Sequence, residues 1–440
     1  DAPRSQYAYL WYSPNGKPMI IGVKNQSSGN ETLYTYLKEE FFDLTKMAKY
    51  VGVTEQFKDV INTFHTPEGE TPAGFKRELV MEKDGVVKVD LVRDISYDKN
   101  GILRPTNVLF SADSANPYEV EPISPLISNL TCNPGIIYDL FINNPKANVG
   151  NKYKNRDEVM AEIGRVLGPG CDISVELNNP FEQDFNKILE EAEKFREMFS
   201  KYRVVIKVPH TGAVTPQNVT QLLSGNKKLD KRSDQVGTED ALRGHNLALK
   251  LHEHGFRVNF TLMFEPFQTM LAMQARTYFI NTFLRHRLLQ SQNIKKYVDM
   301  YEVSKDNKIL ETLKDYFISC DYYTEADRDM ALADVLAFGK DLLKYRHFED
   351  KQGQDGLDGM RHNLRVLKNS NLKDTRLIVC SMEGPYNYPD IDKLLTEPEF
   401  QDMNHKVVIT AEPNYLARFT STNQVISYQR RFMNAANGQS

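Results

Sequence analysis

Cysteine is scarce in this 440-residue sequence, long apolar runs are missing, and neither charge sign dominates. Each of these excludes something. Cys132, Cys171, Cys320 and Cys380 make no C-x-x-C pair, and three of them lie in or beside apolar runs. A disulfide framework or a paired-cysteine metal motif is therefore not expected, and the four read as reduced, mostly buried thiols of a cytoplasmic protein. The tightest histidine cluster, His252-Glu253-His254, ends a helical pattern just before Gly255. That placement suits solvated helix-end side chains better than zinc ligands. Neither a metal nor a cofactor is expected. No apolar run approaches the roughly 18–20 residues of a membrane span. The N-terminus DAPRSQYAYLWYSPNGKP lacks a basic segment followed by an apolar one, so it does not read as a signal peptide, although it is compatible with the trimmed end of a longer precursor. The formal net charge of −4, spread along the chain, offers no basic face for nucleic acid. The partner expected is a small molecule, not nucleic acid or membrane, with a homo-oligomer left open. The G-x-G-x-x-G and P-loop fingerprints are absent as well.

What is present is an alternation. Short apolar runs at 107–112, 125–131, 172–177, 203–209, 257–264, 276–283, 375–382 and 406–412 are separated by amphipathic helical stretches. In DFNKILEEAEKFREMF (184–199), Phe185, Ile188, Leu189, Ala192, Phe195 and Phe199 recur at helical spacing. ALRGHNLALKLHEHG (241–255) closes on Gly255, a C-terminal cap residue. Eight strand–helix units predict an α/β protein, a (β/α)8 TIM barrel spanning 106–440. Two stretches exceed the economical repeat. Residues 217–241 read as a long polar loop with one short helix, and 290–370 as extra helices followed by a flexible, breaker-rich loop, KQGQDGLDG. Residues 1–105 read as a small α+β extension of unassigned role, with hairpin-like segments and a helix near 35–50.

One strand carries an anomaly. In VVIKVP (204–209), Lys207 interrupts an apolar run, and lysine is among the residues least often buried. With period two, Val205, Lys207 and Pro209 share one face, and Val204, Ile206 and Val208 share the other. If the apolar face meets a helix layer, Lys207 points into the barrel. There desolvation would lower its pKa, and a neutral amine can attack a ketone to form a Schiff base. Taken alone, the strand fits an exposed edge or a snorkelling stem better. Other strand ends shift the balance: Asp113 in LFSADS, Asn133 after LTC, Glu176 in DISVEL, and Asn259 and Thr261 two apart in VNFTL.

These residues resemble a known family. LTCNPGI (130–136), SADSAN (111–116), ISVEL (173–177), VVIKVP (204–209), VNFTLMFEPFQTMLAMQA (258–275) and YFINTFLRHR (278–287) are similar, in order, to the strand motifs of transaldolases. The resemblance covers roughly 107–420. It implies that Lys207 forms a Schiff base with a ketose, and that Asp113 is the general acid/base of retro-aldol cleavage. Glu176 and Thr261 would hold the water that relays protons. Asn133 and Asn259 would bond the hydroxyls of a dihydroxyacetone unit, with Thr131 supporting that wall. Asn281, Phe283 and Arg287 fall at further substrate-facing positions. Glu176 and Phe283 match the transaldolase choice where the related fructose-6-phosphate aldolases have glutamine and tyrosine.

Two positions depart from the family. His286 stands where a phosphate-binding arginine is expected, though Arg285 and Arg287 flank it. Glu383, in CSMEGP, stands where a second such arginine is expected, and a carboxylate there would repel phosphate. The expectation is a transferase moving a three-carbon unit, its sugar unusual or unphosphorylated, or its anion gripped by Arg287 and the insertions. A class I aldolase releasing the ketone, and a non-catalytic barrel used for binding or assembly, are the alternatives.

Overall fold

A computed structural model describes residues 8–12, 18–23, 50–64, 75–92, 108–168, 171–200, 202–380, 387–418 and 421–438. Among them no helix is long and apolar enough to cross a membrane. The chain divides into two compact units: Asp1–Arg93 with Phe110–Ile173 and Thr410–Ser440, and Asp94–Leu109 with Ser174–Ile409.

The N-terminal segments form a five-stranded sheet of order β2-β1-β3-β5-β4, from β1 (Ala8–Tyr12), β2 (Pro18–Val23), β3 (Tyr50–Val53), β4 (Lys76–Met81) and β5 (Val86–Val92). The hairpin expected around the PNGKP turn is the antiparallel β1–β2 pair. The helix expected near 35–50 lies outside the described residues. A helix that the sequence reading omitted, α1 (Glu55–Phe64), follows β3. Thr54 starts it: its hydroxyl accepts the Phe57 N–H at 3.0 Å and donates to Asp90 Oδ1 at 2.6 Å.

Eight strands close a parallel barrel: β6 (Leu109–Asp113), β7 (Asn129–Thr131), β8 (Asp172–Glu176), β9 (Arg203–Pro209), β10 (Arg257–Thr261), β11 (Phe279–Phe283), β12 (Arg376–Cys380) and β13 (Val407–Ala411). Every expected strand is present, and several are shorter than their apolar runs. Backbone conformation explains the trimming. Leu262 takes a left-handed φ of 65° that ends β10, and Arg276 does the same at 53° ahead of β11. Pro125 and Leu126 belong to a 3-10 turn, so β7 begins only at Asn129.

The helices α2 (Arg156–Leu167), α3 (Phe185–Met198) and α4 (Thr238–Glu253) follow β7, β8 and β9. Gly255, at φ +83°, closes α4 as the sequence pattern requires. Gly244 lets α4 approach β9 closely, since a Cβ there would sit 3.0 Å from the Pro209 carbonyl and 3.1 Å from the Phe260 ring. Phe260 therefore faces the helix layer. Its neighbour in sequence, Asn259, faces the other way, in register with Lys207.

Both insertions lie in the second unit and lock together. Residues 217–241 are mostly turns with one short helical turn, Val219–Leu222. The second insertion supplies α5 (His286–Ser304), α6 (Asn307–Ser319), α7 (Leu332–Lys344) and α8 (Asp358–Lys368). The Lys228 ammonium caps the end of α6, donating to the Ile318 carbonyl at 3.1 Å and to Asp321 at 3.0 Å. Arg232 grips Asp327 through two nitrogens, at 3.0 and 2.6 Å, and lies over the Tyr323 ring. KQGQDGLDG, expected to be flexible, is a run of turns pinned by Arg361, which bonds both oxygens of Asp355 and the Gln352 carbonyl at 2.8 Å.

Arg232 holds the Asp327 carboxyl well down, at about 2. A carboxyl whose folded pKa is depressed contributes stability above its unfolded value and loses it as pH falls through the folded value. The docking of 217–241 on α6–α7 should therefore weaken between about pH 4 and pH 2. Hydrogen exchange at amides 219–232 measures this, and Asp327→Asn should remove that dependence while leaving exchange fast at every pH.

Candidate active site

Asp113, Thr131, Glu176, Thr261 and Phe283 are each the last residue of their strand, the end at which barrel enzymes place their chemistry. Each lands there because an apolar run ends on it. The preceding residues bury their outward side chains, and the pleat turns the terminal one inward.

In the first unit, β6 and β7 pair with Ser111 opposite Asn129 and Asp113 opposite Thr131. The Asn129 amide donates to Ser111 Oγ at 2.8 Å, so this face of the pair is polar down its length. Asp113 opens onto a cavity of ≈ 430 Å³, lined also by Glu119, Asn144, Glu412 and Asn414, with Phe141 beneath. Asn133 follows β7. Its Oδ1 accepts the Ile136 N–H at 2.9 Å, which fixes the side chain and leaves its amide N–H groups as donors.

In the second unit, Lys207 sits in the middle of β9 and is only 7% exposed. Its register partner Asn259 is buried, and Thr261 stands opposite Pro209. The next strand completes a side-chain ladder. Asn281 Nδ2 donates to Asn259 Oδ1, while Asn281 Oδ1 accepts from the Thr261 hydroxyl at 3.2 Å and the Cys380 thiol at 3.5 Å. The opposite face of β11 is held by α8, where Asn363 donates to the Thr282 hydroxyl at 2.6 Å. Lys207, Asn259, Thr261 and Asn281 are thus all directed away from the helices. Asn259 Nδ2 is buried and meets no acceptor among the described residues, which leaves a donor on the inward face beside Lys207. The arrangement can orient a hydroxylated ligand beside a buried amine.

The Phe283 ring lies tilted against that of Phe264 at 4.0 Å between centroids, and the His286 ring packs against Phe264 at 5.2 Å. Here α5 begins, and the arginines around it are already paired. Arg287 bonds Glu265 at 2.6 Å, Asp358, and the Tyr345 carbonyl at 3.1 Å. Arg285 bonds Asp390, and Arg346 reaches Glu265 at 3.3 Å and the Tyr322 hydroxyl at 2.8 Å. Burial pushes the Asp358 carboxyl above its ordinary value, the Arg287 charge opposing that rise. Glu383 lies outside the described residues.

The sequence reading missed Glu265 and Asp358, the carboxylates that hold Arg287, and Cys380, which bonds Asn281. Cys380 ends the apolar run LIVC just as Asp113 ends its own, and that shared position is the signal that could have found it. Arg287 and its acids are joined only through the fold.

None of the curated proteins compared matches the chain. Residues 110–308, from the first barrel strand into α5 and α6, match the family model described as Transaldolase/Fructose-6-phosphate aldolase. That match, together with the closed parallel barrel and a lysine inside its fourth strand, makes this stretch of the chain similar to the transaldolase/fructose-6-phosphate aldolase family and consistent with membership of it.

Proposed function

We propose that this protein is a transaldolase-type transferase that moves a three-carbon dihydroxyacetone unit between sugars through a Schiff base on Lys207. The observation that carries the reading is the burial of Lys207 on an inward face shared with Asn259, Thr261 and Asn281. In this reading the Lys207 amine adds to the ketone carbon of a ketose, and loss of water leaves an iminium. Asp113 takes the proton of the hydroxyl on the far carbon of the bond to be broken, the carbon that becomes the aldehyde. The carbon–carbon bond then breaks, its electron pair passes into the iminium to give an enamine, and an aldehyde leaves. Addition of the enamine to an acceptor aldehyde, followed by hydrolysis, frees the new ketose and the lysine. Glu176 and Thr261 position the water consumed and released. Asn133 and Asn259 bond the hydroxyls of the retained unit, with Thr131 behind them and Phe283 as the apolar wall.

For the substrate's far end we favour hydroxyl groups over phosphate. Arg285, Arg287 and Arg346 each already face a carboxylate, and the cavity at Asp113 is lined by carboxylates and amides with no basic side chain. A phosphate there would meet negative charge.

The test uses a ketose labelled with carbon-13 in its first three carbons, supplied with and without an acceptor aldehyde. Transfer predicts label in a new ketose only when acceptor is present. Free labelled dihydroxyacetone would assign the enzyme as an aldolase instead. Fructose should also be used at least about tenfold better, in kcat/KM, than fructose 6-phosphate, a difference of about 1.4 kcal/mol. The reverse preference would remove the unphosphorylated-substrate part of the reading.

A further inference from the structure

The insertion between β11 and β12 has a core of its own. Ile294, Val298, Leu310, Leu313, Phe317 and Val335 are buried together where α5, α6 and α7 meet. The Tyr322 ring joins them, 5.5 Å from Phe317 and 6.1 Å from Phe338 between centroids. Its hydroxyl is bonded on both sides, accepting from Arg346 Nη2 at 2.8 Å and donating to Gln290 Oε1 at 2.7 Å. Arg346 follows α7 by two residues, and its side chain is only 5% exposed. A guanidinium at that depth needs acceptors for its donors. Besides Tyr322, it takes Ser291 Oγ at 3.1 Å and the Arg287 carbonyl at 3.4 Å on α5, and Glu265 at 3.3 Å.

Glu265 belongs to the loop that follows Thr261, the end of β10. Within that loop Gln268 Oε1 accepts the Phe264 and Glu265 N–H groups, each at 2.8 Å, and the Gln268 amide donates to the Leu262 carbonyl at 3.3 Å. Those bonds set the loop's internal shape. Its bearing on α5 and the insertion is set by Glu265, one oxygen of which takes Arg287 while the other takes Arg346. Phe264, the residue before, carries the ring that lies against Phe283 and His286. A chain of direct contacts therefore runs from the insertion's core, through Arg346 and Glu265, to the end of β11.

We propose that Arg346 is a positioning residue for the transfer reaction. Through it the insertion holds the loop after β10, and the loop keeps Thr261 and Phe283 placed against the ketose. The inference rests on the catalytic reading above and gives residues 290–370 a task within it.

Arg346→Met keeps the stem and removes the donors, and Arg346→Lys returns one charge without the fork. Each variant is measured by borohydride trapping on Lys207, by kcat and KM in the labelled-ketose assay, and by hydrogen exchange at amides 262–268. Arg346→Met should still form the Lys207 adduct but lose about ten- to a hundredfold in kcat per trapped site, the scale of a small misplacement at a reacting centre. Exchange at 262–268 should quicken while 203–209 stay protected, and Arg346→Lys should recover part of the turnover. Glu265→Gln breaks the same contact from the loop side, so Arg346→Met should cost less in that background than in the parent. An Arg346→Met chain with parental kcat and KM overturns the proposal, even where it melts earlier. Should that variant not fold, Glu265→Gln and Tyr322→Phe decide, and parental turnover in both overturns it. A wild-type chain that forms no adduct overturns the catalytic reading and this proposal together. An active wild type with unaffected variants overturns the proposal alone.

Discussion

Lys207→Met should lower turnover by at least about 10⁴-fold, the scale on which an enzyme loses a covalent nucleophile. Methionine keeps most of the volume and the unbranched stem, so Val205, Ile206 and Val208 keep their packing and the barrel stays folded. The loss should appear in kcat, with ketose affinity changed only a few-fold, because in the proposed reading Asn133 and Asn259 still bond the hydroxyls. A purely structural lysine would behave differently: its replacement by methionine would leave turnover within about tenfold and change the melting temperature instead. Steady-state kinetics beside a thermal melt separates the two.

The second large effect concerns stability. Arg287 is the shared partner of Glu265 and Asp358, and its side chain is 13% exposed. Arg287→Met leaves Asp358 without its cation and Glu265 with Arg346 alone, and removing one partner of a buried pair costs about 3–5 kcal/mol. Chemical denaturation should show that loss, and Asp358→Asn in the same chain should recover part of it. The pH dependence has a definite sign. Burial already raises the folded pKa of Asp358, and removing Arg287 raises it further. A group whose folded pKa is raised stabilises the protein below its unfolded value and loses that contribution as pH rises through the folded value. The variant should therefore lose more stability than the parent as pH rises above about 4, the unfolded carboxyl value.

The two effects differ in how far they could be read before the fold was in view. Lys207 was legible because a strand has a period of two. Once Ile206 and Val208 were assigned to the helix side, the lysine had to face inward, and Asn259 and Thr261 followed by the same rule in β10. Asp113 and Glu176 were legible as charges ending apolar runs. The strand ends themselves were less so, because hydropathy does not report the left-handed turn at Leu262 that cuts β10 short. Helix α1 was missed although Thr54 is a good cap, and Phe57 and Val60 are buried among its described side chains. Arg287 was read as open to an anion. Its acids lie 22 and 71 residues away in sequence, and no local pattern joins them. The resemblance to transaldolases ordered the strand motifs; it could not show that the nearby guanidinium charges are already balanced within the protein.

The central claim is that Lys207 forms a Schiff base with a ketose. The most direct measurement is borohydride reduction of the full chain in the presence of a panel of ketoses, followed by peptide mass spectrometry. A reduced adduct should appear on the peptide containing VVIKVP, with the added mass of the trapped sugar or of its three-carbon fragment, and be absent in Lys207→Met. An adduct of equal yield in that variant, or one on another lysine, would contradict the account.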